Sequence, residues 1–167
     1  MEKAMLTEIV ENAVYRIDEN TRMVQKSLAH IDHEALWHVP NRAMNSIANL
    51  ILHLCGNMGQ YAIASLGNGS YKRQRDLEFS RRSGETKKEL LQLLLDTVEK
   101  TKAAIQESTV EELLKKRKVQ GYRFSGLGIV FHVVEHYSYH TGQIAYLVKQ
   151  MKHIDLGFYD GIDLNAQ

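Results

Sequence analysis

The chain has 167 residues, a length that predicts one domain, residues 1–167, with a single hydrophobic core. Its 21 Lys and Arg residues nearly balance 20 Asp and Glu residues, which argues against a nucleic-acid-binding protein, since that class usually carries excess positive charge. The single cysteine, Cys55, excludes an internal disulfide framework, and the charged N-terminus lacks the apolar core of a signal peptide, so we expect a cytoplasmic protein.

The first half of the chain is predicted to form two long helices. Apolar residues at helical spacing predict the first over residues 3–29. A linker follows, and the second long helix is predicted over residues 46–66, because Gly67-Asn68-Gly69 provides a stop signal. Residues 67–85 are interpreted as a polar loop.

The second half is predicted to contain two more long helices and one short one. Thr86 and Glu89 have the spacing of a capping box, so a third long helix begins there. A short helix is predicted over residues 109–117, with the basic run 115–118 as its solvated end. The fourth long helix covers residues 125–152. These elements predict an all-α fold, a four-helix up-down bundle with a short extra helix.

The second and fourth long helices lack a charged face. No Asp, Glu, Lys or Arg occurs between Ala43 and Tyr71, and Glu135 alone occurs between Phe124 and Val148. A helix without a charged face is usually buried on more than one side, and the polar residues within both segments argue against a membrane span. We therefore expect both helices to contribute to a homodimer interface. Cover by the chain's own loops and tail is the alternative.

An uncharged polar stripe runs along the second long helix at intervals of three or four residues. Its members are Ser46, Asn49, His53, Asn57 and Gln60. Such a stripe is either a weak solvent face or the wall of an interior site in which every polar atom has a partner. Cys55 is two residues from His53 and therefore points away from it, so we do not expect it to be a metal ligand.

Three histidines, His132, His136 and His140, recur at four-residue intervals in the fourth long helix. They stay within a sector of about 80° around the helix axis, and two histidines four residues apart can bind one zinc ion. The outer two are about 12 Å apart along the axis, so we expect two of the three to bind a metal together with His53. The alternative is core or surface histidines bonded to the backbone or to solvent.

Spacing does not decide which two histidines of the fourth helix are ligands. In an up-down bundle the second and fourth helices run parallel. Residues at similar distances from the starts of their helices then lie at the same level of the bundle. This distance, which we call depth, favours His132 together with His136 as partners of His53. Three imidazoles with an open fourth position are typical of catalytic zinc sites, and nickel, iron and copper also accept imidazole ligands.

Three stretches of the sequence carry a family resemblance: NSIANLILHLCGNM, RQRDLEFSRR and HVVEHYSYHTGQIAYL. Together they resemble the DinB/YfiT-like metal-binding superfamily, in particular its DUF1572 branch, over most of the chain. The resemblance implies a four-helix bundle, commonly dimeric, that binds a divalent metal through His53, His136 and His140. It replaces the pair chosen by depth and leaves His132 as a neighbour of the metal site.

The resemblance also implies a function, because characterised relatives include thiol-dependent transferases and isomerases that use bacillithiol or mycothiol. We therefore expect a metal-dependent transferase with a small thiol cosubstrate, and zinc as the ion, with nickel, iron or manganese as alternatives. A non-catalytic metal-binding dimer and a metal-dependent hydrolase stay open. For substrate contacts we name Asn57, His132, Arg75 and Arg82; the arginines lie in a basic loop suited to an anionic substrate.

Overall fold

The computed structural model describes residues 1–166, which form seven α-helices and one β-hairpin. The all-α fold with four long helices and a short extra helix is confirmed. In chain order the elements are α1 (Glu2–Ala29), α2 (His33–Trp37), α3 (Ile47–Met58) with a π-helical continuation (Gly59–Leu66), α4 (Arg75–Ser80), α5 (Lys87–Gln106), α6 (Val110–Leu114), β1 (Lys116–Val119), β2 (Tyr122–Ser125) and α7 (Gly126–Lys152).

Side-chain caps define the starts of three long helices. At α5 the Thr86 hydroxyl accepts a hydrogen bond from the Glu89 amide, and the Glu89 carboxylate accepts one from the Thr86 amide, as predicted. Ser46 and Asn49 form the same reciprocal pair at α3, and Ser125 caps α7. These caps bind N–H groups that a helix start leaves without an intrahelical partner. The predicted starts therefore agree with the observed ones to within a residue.

The long helices form a ring in the order α1, α5, α3, α7, in which each contacts its two neighbours. Helix α5 runs opposite to α1: Lys87 at its start donates to the Leu28 carbonyl near the end of α1, at 3.1 Å. Further along α5, Lys102 pairs with Asp18 of α1 at 2.8 Å. Buried apolar side chains from all four helices form one continuous core inside this ring.

Helices α3 and α7 run antiparallel, so the expectation that they run parallel is wrong. His53 of α3 meets His136, whereas Tyr61, two turns further along the chain, meets His132. Moving forward along α3 therefore means moving back along α7. Simple alternation of direction fails between α3 and α5, because the connection over residues 67–86 returns along the bundle and the two helices run parallel. A Cβ atom at Gly67, just after α3, would lie 2.9 Å from the Ala104 side chain near the end of α5.

Three segments of the chain differ from their predicted structure. The basic run 115–118, predicted as a helix end, leads into β1, which pairs antiparallel with β2. Gln120 and Gly121 both have positive φ, as a tight hairpin turn requires. The linker contains α2, and the predicted loop 67–85 contains α4. Helices of five or six residues are too short to show a hydrophobic period.

None of the helices within residues 1–166 is both long enough and apolar enough to cross a membrane.

Candidate metal centre

Three histidines from two antiparallel helices meet beside the core: His53 from α3, and His136 and His140 from α7. One ligand nitrogen from each lies within 4.8 Å of the others. The Nε2 atoms of His53 and His136 are 3.1 Å apart. Two zinc–nitrogen bonds of about 2.05 Å at a tetrahedral angle would place their nitrogens about 3.3 Å apart. The three side chains, which we call the histidine trio, therefore have the spacing to hold a divalent ion.

His53 is oriented by a buried ion pair. Its Nδ1 lies 2.8 Å from Glu78 Oε2, and Arg73 donates to both oxygens of the Glu78 carboxylate, from Nε at 2.7 Å and from Nη2 at 2.8 Å. When the Nδ1–H group donates to Glu78, the Nε2 lone pair of His53 points toward the other two imidazoles. A carboxylate on the far nitrogen of a metal-binding histidine is a common way to fix its tautomer and ring orientation.

The Glu78 carboxylate is ionised despite its burial. Burial alone would raise the pKa of Glu78, but hydrogen bonds from Arg73 and His53 outweigh it and hold the pKa below its ordinary value. The charge of the carboxylate is thereby available to stabilise an N–H donor on His53.

Gln143 orients His140 in a similar way. Its Oε1 lies 2.7 Å from His140 Nδ1, so Nδ1–H is the donor and Nε2 is free to bind a metal. The two residues are three apart on α7, which places them on the same face of the helix. This contact gives a physical role to Gln143, which lies in the stretch HVVEHYSYHTGQIAYL.

His136 has no hydrogen-bond partner at Nδ1 in the described part of the chain, and that atom is buried. Burial, followed by the neighbouring His140 and His53, lowers the pKa of His136 to about 3. Burial also lowers the pKa of His140, and the hydrogen bond with Gln143 opposes this change. Both imidazoles are therefore neutral at physiological pH, the form that binds metal ions.

His132 lies beside the histidine trio and contacts Asn57 and Tyr61 of the helix that carries His53. Asn57 Nδ2 donates to His132 Nε2 at 3.1 Å, and the Tyr61 ring lies against the imidazole with centroids 4.2 Å apart. The ring of His132 is 5.4 Å from that of His136, centroid to centroid. The structure therefore groups the histidines implied by the resemblance, not the pair chosen by depth.

The polar stripe of α3 faces the interior, as one of its two interpretations predicted, but not every polar atom has a partner. Asn57 Oδ1 is buried and has no hydrogen-bond partner within residues 1–166. Asn49 donates to the carbonyl oxygens of Glu78 and Arg81 at 2.9 and 3.0 Å. Gln60 accepts from Arg73 at 3.1 Å. Residues 71–81, which we call the docking segment, thus contact Asn49, His53 and Gln60 of the stripe.

The arginines named for substrate contacts lie on and after α4. The Arg75 guanidinium lies 5.0 Å from the centroid of the Phe79 ring, and that ring lies 4.6 Å from the His53 ring. Arg82 donates to the carbonyl oxygens of Phe79 and Arg81. Among residues 1–166 neither arginine donates a hydrogen bond to the histidine trio. Their contact with a substrate stays a prediction.

Sequence reasoning missed Arg73 and Glu78, although both occur in the stretch RQRDLEFSRR. Gly56 gives only an indirect signal, because a glycine inside a helix often allows a close approach by another part of the chain but does not identify the residues that approach. A Cβ atom at Gly56 would overlap the Glu78 carboxylate. Cys55, by contrast, is buried and lies outside the trio, and burial raises the pKa of its thiol to about 12.

The bundle is shared with known structures. A DinB-like protein from Bacillus cereus superposes with a TM-score of 0.66 at 16% identity, over 84% of this chain and 91% of its own. YjoA, a DinB-like protein from Bacillus subtilis, gives 0.65 at 20% identity, over 89% and 94%. A mutant of the mycothiol-dependent maleylpyruvate isomerase gives 0.64 at 14% identity, over 84% and 66%. At these identities the similarity shows the fold alone.

No curated protein matches the sequence. A protein family of unknown function, DUF1572, matches residues 4–158. The match spans almost the whole chain, and the fold is the one found in DinB-like proteins, as the sequence resemblance predicted. The chain therefore belongs to the DUF1572 family.

Proposed function

We propose that this protein is a metal-dependent transferase that activates a small thiol at a divalent ion held by the histidine trio. The observation that supports the proposal is the convergence of three imidazole nitrogens within 4.8 Å. Glu78 and Gln143 orient two of these imidazoles. Three imidazoles leave a further position for a ligand from solution, as in catalytic zinc sites. Zinc is the proposed ion, and nickel, iron and manganese are the alternatives.

The bound ion would supply Lewis acidity that lowers the pKa of a nearby thiol. In the transfer, the thiol S–H bond breaks and its proton leaves to solvent. The sulfur forms a bond to an electrophilic carbon, and the bond from that carbon to its leaving group breaks, so that the leaving group departs with the electron pair. The rings of Phe79 and Tyr139 lie 4.6 and 4.9 Å from those of His53 and His140, and they provide apolar walls beside the site. The similarity in fold to a mycothiol-dependent isomerase supports a thiol as cosubstrate.

Turnover with thiols tests the proposal directly. Zinc-loaded protein, made without a histidine tag, would be incubated with bacillithiol, mycothiol, coenzyme A or glutathione and a chromogenic electrophile. We expect at least one thiol to react faster with the wild type than with His136→Ala, because the variant lacks one imidazole of the trio. Equal rates for the two proteins with every thiol would contradict the transferase. Retention of zinc without turnover would favour the non-catalytic metal-binding alternative.

Removal of the metal is expected to lower the melting temperature. An ion at 100 times its dissociation constant stabilises the native state by about 2.7 kcal/mol, and each kcal/mol shifts the melting temperature of a chain of this size by about 2–4 °C. Zinc should therefore raise the melting temperature by about 5–11 °C, and a chelator should reverse the change. Scanning fluorimetry would measure it. His33→Ala, in α2, should respond as the wild type does, whereas an unresponsive wild type would argue against a metal site.

We also propose a homodimer that buries the exposed face of α7. Helix α3, the other helix expected at the interface, is already buried within the chain. Phe131, Tyr139 and Tyr146 on this helix are 62%, 63% and 66% exposed, and exposed aromatic patches commonly mark interfaces. Sedimentation velocity at micromolar concentration should give twice the chain mass for the wild type and a shift toward monomer for Tyr146→Asp. Tyr122→Asp, at a tyrosine of the hairpin that is 63% exposed, is the matched control. A monomeric wild type would contradict the dimer.

A further inference from the structure

We infer that Glu78 is a positioning residue for His53, and that metal binding and the docking of residues 71–81 onto α3 are coupled. This inference rests on the proposed metal site and adds to it a part of the chain outside the two helices that carry the histidine trio.

The carboxylate of Glu78 lies between a cation and an imidazole. The residue is 7% exposed, and a buried charge is costly unless it is paired and hydrogen-bonded. Arg73 supplies the pairing charge through Nε on Oε1 and Nη2 on Oε2, at 2.7 and 2.8 Å. Oε2 also lies 2.8 Å from His53 Nδ1. The ion pair therefore places Glu78 Oε2 as a hydrogen-bond acceptor beside one ring nitrogen, His53 Nδ1.

The surface of α3 is shaped to receive this ion pair. At Gly56 a Cβ atom would overlap the Glu78 carboxylate and lie 3.1 Å from Arg73 Nε. One turn further on, a Cβ atom at Gly59 would overlap the Tyr71 ring. The absence of side chains at these two positions lets the docking segment approach the helix that carries His53. A movement of the segment therefore changes the surroundings of that histidine.

Without an ion, His53 Nδ1 has two neighbours with opposite requirements. Glu78 Oε2 requires a proton on Nδ1, whereas Arg73 Nη2, 3.1 Å away, requires a lone pair there. If His53 held a divalent ion through Nε2, its ring proton would lie on Nδ1, and the hydrogen bond from Nδ1 to Glu78 Oε2 would be favoured. Coupling between two equilibria is reciprocal. Docking of residues 71–81 therefore strengthens metal binding by the same factor by which metal binding favours docking.

Zinc affinity of variants at Glu78 tests the positioning role. Loss of such a hydrogen-bond partner typically weakens metal binding about 10–100-fold, so we expect a loss of this size for Glu78→Gln in competition with a chelator, with partial recovery in Glu78→Asp. The matched control is Glu112→Gln, which removes a carboxylate paired with Arg117 in the α6–β1 region, outside the docking segment and the histidine trio. Its affinity should equal that of the wild type.

The outcomes separate the inference from the proposed function. A wild type that binds no zinc would overturn the metal site itself. A wild type that binds zinc, with Glu78→Gln equally tight, would overturn only the role of Glu78. An equal loss in Glu112→Gln would also overturn it, since a loss shared with the control does not depend on His53.

Hydrogen–deuterium exchange of the wild type tests the coupling without any variant, so it stays decisive if Glu78→Gln fails to fold. Zinc should slow amide exchange within residues 71–81. Exchange within residues 110–119, which span α6 and β1 away from the histidine trio, should not change. Equal exchange of residues 71–81 with and without zinc, in protein shown to bind the ion, would overturn the coupling.

Discussion

His140→Ala should lose nearly all bound zinc, whereas His132→Ala should keep most of it. Both residues are four apart from His136, but only His140 has a ligand nitrogen within the histidine trio. His132 Nε2 is instead occupied by Asn57. Loss of a neighbour that does not bind the ion costs at most about 10–100-fold in affinity, and loss of one of three ligands should cost more. Zinc per chain, measured by mass spectrometry on untagged protein after desalting, would quantify both.

The fold should survive in both variants, because the core consists mainly of aliphatic side chains from all four long helices. Circular dichroism would check this for the metal-free proteins. Full zinc in His140→Ala together with none in His132→Ala would show that the pair chosen by depth is right and that the histidine trio is not the metal site.

Two glycines near the histidine trio should respond to alanine with opposite signs. Both lie in helices, where alanine is intrinsically more favourable than glycine by about 1 kcal/mol. At Gly142 a Cβ atom would meet no atom of residues 1–166 within 4 Å, so Gly142→Ala should stabilise the protein by about 0.5–1 kcal/mol. At Gly56 the Cβ atom would overlap Glu78, and overpacking of a buried site costs about 1–3 kcal/mol.

Urea denaturation of the two alanine variants would give both free energies of unfolding. Gly56→Ala should also weaken zinc binding, because the displaced Glu78 no longer orients His53, while Gly142→Ala should bind zinc as the wild type does. Stabilisation by both substitutions would show that the docking segment does not press against α3 as the structure describes.

The long helices could be predicted because their signals are local. Hydrophobic spacing and the capping residues Ser46, Thr86 and Ser125 act within a few residues, and they locate the helix starts closely. The direction of α3 relative to α7 depends instead on how a long connection returns along the bundle, which no local pattern encodes. The choice of His140 over His132 therefore came from the family resemblance, since helix depth assumed the wrong direction.

The contacts of Glu78 could not be predicted for a related reason. The stretch RQRDLEFSRR contains several charged residues that look alike in sequence, and a short charged segment is usually solvated. What distinguishes Glu78 and Arg73 is a tertiary contact with Gly56. The hairpin β1–β2 was missed because two strands of four residues provide too little alternation to override an adjacent helical pattern.

The antiparallel meeting of α3 and α7 has a consequence for the order in which the protein folds. His136 and His140 lie one turn apart, so a chain with only α7 formed already presents two nitrogens to an ion. His53 is 83 residues away from His136 in sequence, and such distant contacts close slowly because a long loop must first lose its freedom. A complete three-nitrogen site therefore forms late, and its spectroscopic signature with cobalt in place of zinc would report the arrival of α3 during refolding.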